Sequence, residues 1–256
     1  LAAALCGSLS PFCSCGVIPV IAALLAAGVP LPAVMAFWLS SPIMDPEMFI
    51  LTAAGISFDF AVAKTVAAFF IGTFGGFATR AVMSAGGFAS PLKDDVKSCG
   101  GCTPKIANEK PLWAFWRETD RKQEFSSSFV STPLFVGKWL LLAFMLESLM
   151  VMYLPAETVA GWLGAESTFA LPLAVLTGVP AYMNGYAAIP LVSGLMETGM
   201  AAGPALAFMT AGAVTSIPAS IAVFALVKRP VFLWYLLLAA VGSLIVGQTY
   251  QVYLSI

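Results

Sequence analysis

The chain has 256 residues, of which 60% are hydrophobic and 10% charged, with a mean hydropathy of +0.93. A soluble domain is about 45–50% apolar and about 25% charged, so this composition excludes a soluble enzyme, a secreted disulfide scaffold and a disordered tail, and points to a polytopic membrane protein. A net charge of −1 excludes a nucleic-acid binder, which needs a basic face, and the absence of histidine removes the usual general base and the commonest metal-binding imidazole.

The charges are uneven. Between Lys93 and Glu124 lie seven Lys/Arg and six Asp/Glu, so two apolar blocks flank one polar loop. The expected division is a first membrane repeat over 1–85, a polar cytoplasmic loop over 86–130 and a second membrane repeat over 131–256. The chain opens at Leu1 within an apolar run, with no basic segment before it. It therefore reads as a fragment lacking its natural N-terminus rather than as a signal peptide.

In chain order, short apolar runs over 1–9 and 168–177 each lead into a Pro/Gly-broken tip, SPFCSCG (10–16) and GVPAYMNG (178–185). Each tip is followed by an apolar stretch of about half a bilayer's length, 17–28 and 187–199. These predict two re-entrant hairpins with irregular backbone at their tips; the bland alternative is ordinary spans shortened by kinks. Stretches 33–56, 60–83, 135–154, 203–226 and 231–254 are long enough to cross a membrane. Pro42 and Pro46 mark a further helix break.

The blocks match at a constant offset of 171. Ile18 aligns with Ile189, Pro19 with Pro190, Leu24 with Leu195, Gly28 with Gly199, Ala36 with Ala207 and Phe37 with Phe208. This predicts an internal repeat. The loop and its flanks, Arg80 and Lys138, hold nine of the 12 basic residues, which places that side in the cytoplasm. Running the spans outward from there gives the repeats opposite orientation. The expected fold is an all-α polytopic membrane protein of two inverted repeats, with a site at mid-membrane where the tips meet.

At the first tip, Pro11-Phe12-Cys13-Ser14-Cys15-Gly16 sets two thiols two residues apart. On extended backbone they share one side, which suits Cu(I), Zn(II) or a trivalent metalloid; the plain alternative is a pair of buried small hydrophobes. Cys6, seven residues earlier, reads as packing. The second tip offers Tyr182, Met183, Asn184 and Tyr186, with Asn184 either satisfying freed backbone or touching substrate. The half-helix N-termini after both tips favour an anion or thiolate.

Asp45, Glu47 and Glu147, acids in or near apolar spans, are candidate proton carriers, with an interfacial position as the alternative for Asp45 and Glu47. Glu197 reads as interfacial. Cys99 and Cys102 form a C-x-x-C in the loop, suited to a soft-metal clasp, a redox pair or nothing in particular. Trp113–Lys122 could lie along the interface. No Walker A or G-x-G-x-x-G motif is present, so transport would be gradient-coupled or facilitated.

SPFCSCGVIP (10–19), GVPL (28–31), SSP (40–42), LTGVPAYMNGYAAIP (176–190) and AFM (207–209) together resemble a bacterial predicted-permease family that includes organoarsenical efflux permeases. The resemblance covers most of both blocks. It implies a multi-pass protein of the cell inner membrane, with Cys13 and Cys15 on the family's Cys pair and Asn184 on its second-tip Asn. It links the thiols to trivalent organoarsenicals. The chain departs from the family at Asp45-Pro46-Glu47, where members have Asn-Glu after the Ser-Pro, and at Gly16, often Ser; the Cys99/Cys102 loop does not carry over.

The expected protein is a permease, not an enzyme, exporting a soft, thiol-reactive substrate, with trivalent organoarsenicals the leading class. Two readings compete with it: a transporter of a sulfur compound or soft metal ion, and a membrane thiol-redox or metal-delivery protein. The substrate site would comprise Pro11, Cys13, Ser14, Cys15, Tyr182, Asn184 and Tyr186. No cofactor and no nucleic acid are expected. The expected partners are the lipid bilayer, a small-molecule or metalloid substrate, a second copy of the chain, and a cytoplasmic thiol or metal carrier at the loop.

Overall fold

The structure, a computed structural model, describes residues 1–10, 16–88, 141, 142, 145, 148, 170–181 and 185–255. Among these residues there are helices and no strand. The first block forms α1 (Ala2–Ser8), α2 (Val17–Ala26), α3 (Leu31–Ser40), α4 (Pro46–Gly55) and α5 (Phe58–Ser84). The second forms α6 (Ala170–Ala181), α7 (Gly185–Glu197), α8 (Ala202–Thr215), α9 (Ile217–Leu226) and α10 (Arg229–Ser255). Leu141, Leu142, Met145 and Ser148 are also helical, while the rest of the expected span 135–154 and nearly all of the loop lie outside the described residues.

The offset of 171 holds well beyond the aligned residues. α4 and α9 coincide at both ends under it, as do α5 and α10, and α3 and α8 begin together. The turns match bond for bond. Gly28, at φ 82°, and Gly199, at φ 106°, take the left-handed conformation that glycine adopts without a Cβ penalty. Gly28 N–H donates to the Leu25 carbonyl (3.2 Å) and Val29 N–H to Leu24 (3.0 Å). Gly199 N–H donates to Met196 (3.1 Å) and Met200 N–H to Leu195 (2.9 Å).

Helix packing matches too. A Cβ on Gly76 would lie 2.9 Å from Ala36 Cβ and 3.1 Å from the Pro32 carbonyl oxygen. On Gly247 it would lie 2.7 Å from Ala207 Cβ and 2.9 Å from the Gly203 carbonyl oxygen. Small residues at these points let the backbones of α3 and α5, and of α8 and α10, approach closely.

Contacts between the halves come in exchanged pairs. α4 packs on α7 and α9 on α2; α5 packs on α8 and α10 on α3; α5 and α10 pack on each other. This is the pattern that two like halves related by a two-fold axis would give. The seam is fixed by Trp38, whose ring stacks on Tyr235 at 5.0 Å between centroids. Phe60 meets Tyr250 edge-on, and the Trp234 indole N–H donates to Thr79 Oγ1 at 3.0 Å.

The break expected at Pro42 and Pro46 is present, since the stretch 33–56 forms α3 and α4 with a break over 41–45. Two expectations are corrected, the first being that 203–226, read as one span, is α8 and α9 broken at Ser216. Pro42 lacks the N–H that a continuing helix needs. Pro46 then holds Asp45 extended, at φ −137° and ψ 170°, and Pro218 falls in the first turn of α9, where a missing N–H is tolerated. The second tip is narrower than 178–185, because α6 continues as helix through Pro180 to Ala181.

Candidate functional site

In the chain, each tip lies between two short helices. Gly16 stands at the N-cap of α2, and α7 starts at Gly185, so each tip leads directly into a helix N-terminus, whose first N–H groups and dipole favour negative charge. Pro11, Cys13, Ser14, Cys15, Tyr182 and Asn184 lie outside the described residues, as do Glu147, Cys99, Cys102 and the segment Trp113–Lys122. Cys6, read as a packing residue, is exposed on α1.

Tyr186 is described and exposed. It lines a groove of about 560 Å³ between α7 and α4, with Ile189, Ser193, Glu197, Leu51 and Gly55. Gly55 makes this approach possible, since a Cβ there would stand 2.6 Å from Ile189 Cγ2. Glu197 is exposed at the end of α7, as an interfacial residue would be.

Asp45 and Glu47 sit together at the start of α4. Asp45 caps that helix, its Oδ1 accepting the Met48 N–H at 2.7 Å, and Glu47 is exposed in the first turn. Both acids favour the positive end of the helix dipole. Across from them stands a residue that the hydropathy reading passed over. Lys64 is fully buried on α5, and its Nζ has no hydrogen-bond partner among the described residues. Asp45 stands in the break between α3 and α4, at the N-cap of α4.

Packing explains the juxtaposition. The rings of Phe49 and Phe58 meet edge-on near the α4–α5 turn, and Gly72 lies against Ser40 and Ala36 further along α5. Between these anchors Lys64 falls opposite the break that separates α3 from α4. Ser41 in that break and Thr52 on α4 are also buried hydroxyls without a partner among the described residues. A lone basic residue inside an apolar span is the sequence signal that could have marked Lys64.

The second half places a different group at the equivalent point. Under the offset of 171, Lys64 corresponds to Tyr235, whose hydroxyl donates to the Val214 carbonyl beside the Ser216 break. A hydrogen-bonded phenol thus stands beside the second break, and its counterpart at the first is an amine without a partner among the described residues. Among the described residues, no group of three acidic or thiol side chains could hold a metal ion.

The outer faces of α5 and α10 are apolar. Val62, Val66 and Phe70 are exposed on one, and their counterparts Leu233, Leu237 and Val241 on the other. Both helices are long and apolar enough to cross a membrane. An outward apolar stripe of this length is unusual on a monomeric soluble protein.

The chain is also similar to known proteins. It shares 32% identity over 94 residues with the UPF0718 protein MJ0584 of Methanocaldococcus jannaschii, a match that covers 37% of this chain and 26% of that protein. The matched stretch is thus about a quarter of the relative's length. No solved structure matches the chain. Over residues 1–252 the sequence matches a family described as predicted permeases, and the chain belongs to that family.

Proposed function

We propose that the chain is a multi-pass permease of the inner membrane, built from two inverted repeats, that exports a soft, thiol-reactive substrate. The observation that carries this reading is the pair of matched, broken-helix halves in a chain of the predicted permease family. Discontinuous helices repeated in two halves are the plan of many secondary transporters, whose sites lie at the half-helix ends near the bilayer midplane. In this reading 1–85 and 131–256 are the membrane repeats, and 86–130 is the cytoplasmic loop.

Cys13 and Cys15 hold the substrate by thiolate exchange, assisted by the N-terminus of α2. The second tip, with Tyr182, Asn184 and Tyr186, closes the site from the other half. Trivalent organoarsenicals fit best among substrates, because a thiol pair matches a soft trivalent centre and the tip motifs resemble those of organoarsenical efflux permeases. The groove between α7 and α4, which Tyr186 lines, is a route by which cargo reaches the second tip.

The test is uptake of a trivalent methylarsenical into everted membrane vesicles, with and without a proton gradient. Wild type is expected to accumulate it, and the Cys13→Ser/Cys15→Ser protein is expected to lose accumulation at unchanged expression. Equal accumulation by the two removes the thiol role. No accumulation by either removes arsenicals as the cargo and turns the search to sulfur compounds and soft metal ions.

A further inference from the structure

We infer that Lys64 is the residue that carries the coupling proton, with Asp45 as its counter-charge, at the break between α3 and α4. The inference rests on the permease reading above and names its coupling group.

A buried amine without a hydrogen-bond partner needs a reason. Buried ionisable groups are paired, neutral or functional, since leaving one unpaired costs free energy in a low-dielectric site. Lys64 is 0% exposed, and no pairing among the described residues accounts for it. Packing does not require a lysine there either, because Tyr235 at the equivalent place in the second half is satisfied by the Val214 carbonyl. The halves share the bounds of α4 with α9 and of α5 with α10, and differ at this point. The asymmetry places an amine at the first break and a phenol at the second.

The surroundings favour a proton over a permanent ion pair. α5 is packed by α1, α3, α4, α8 and α10. The titratable groups on these elements and on α5 itself are Cys6, Asp45, Glu47, Asp59, Arg80, Arg229, Tyr235, Tyr250 and Tyr253. Of these, Asp45 stands in the break itself, at the N-cap of α4. Asp45 is already engaged at the N-terminus of α4 through the Met48 N–H, so it lends Lys64 a nearby negative charge without holding its protons. A helix break is also where a rocking half changes geometry, so the access of water to the amine changes with the transport state.

The step is simple in its balance. With the break open to the outside, one proton from water binds the Nζ lone pair and the amine becomes an ammonium. With the break open to the cytoplasm, the ammonium returns that proton to water. No other bond forms or breaks, and cargo moves in the opposite direction.

Two variants separate a proton carrier from a structural residue. Lys64→Met keeps the length and packing of the side chain and removes the amine. Lys64→Arg keeps a positive charge that is not released in proteins. In proteoliposomes loaded with trivalent methylarsenical, both variants are expected to exchange arsenical across the membrane within about twofold of wild type, while gradient-driven accumulation falls about tenfold or more. Accumulation that survives in Lys64→Met, or is restored by Lys64→Arg, overturns the proposal.

A second readout needs no cargo. In protein labelled with ¹⁵N-lysine, the Lys64 line, assigned by its absence from Lys64→Met, is expected to switch between ammonium and amine across the working pH range. A line that never switches overturns the proposal. If wild type moves no arsenical, the cargo assignment fails, and this spectrum decides the lysine's role separately.

Discussion

Gly76→Leu and Gly247→Leu are each expected to destabilise the protein by about 3 kcal/mol or more, a fall in melting temperature of roughly 10 °C. The reason is steric and backbone-borne. At Gly76 even a methyl would meet Ala36 Cβ at 2.9 Å and the Pro32 carbonyl oxygen at 3.1 Å. At Gly247 it would meet Ala207 Cβ at 2.7 Å and the Gly203 carbonyl oxygen at 2.9 Å. A carbonyl on a packed helix does not swing aside as a side chain does, so the helices must part. Gly194→Leu is the control, because nothing lies within 4 Å of a Cβ there. Thermal unfolding in detergent checks all three. If Gly76→Leu and Gly247→Leu melt like the control, the close approach of α5 to α3 and of α10 to α8 is wrong.

Trp38→Ala is expected to cost about 3–5 kcal/mol. Trp38 is 2% exposed, and its ring lies on Tyr235 with 31° between the planes. The substitution opens a cavity beside α3 and also removes a contact that joins the halves. Trp38→Phe retains an aromatic ring against Tyr235 and is expected to recover about half of the loss. Melting curves of the two variants make the comparison. If Trp38→Ala melts within a degree or two of wild type, the seam between the halves is not held at this pair.

These residues show where a linear reading succeeds. The Pro and Gly punctuation is local, so α2, α7 and their ends near Gly28 and Gly199 were legible from spacing, and the offset of 171 followed from matching that punctuation. Where the reading relied on hydropathy it lost detail. The stretch 33–56 is apolar enough to read as one span, although Pro42 and Pro46 break it, and the Ser216 break leaves hardly a trace in average hydropathy.

Lys64 escaped for the same reason. A single charge barely shifts the mean of a long apolar window, and its burial depends on α3 and α4 folding over it. The Trp38–Tyr235 stack and the Trp234–Thr79 hydrogen bond join residues far apart in the chain, and no local pattern reports such pairs. The sequence marked two tips with Cys13, Cys15 and Asn184, which lie outside the described residues, and it marked Asp45. Lys64 required the fold.

The central claim is that the two like halves lie in opposite orientation across a membrane. It is tested most directly by labelling Ser84→Cys and Ser255→Cys, one at a time, in a background with the native cysteines replaced. The two positions are equivalent ends of α5 and α10, and both are exposed. With a membrane-impermeant maleimide, the Ser84→Cys protein is expected to label in everted vesicles alone and the Ser255→Cys protein in right-side-out vesicles alone. Labelling of both from the same side would contradict the inverted arrangement, and with it a site formed between opposed hairpin tips.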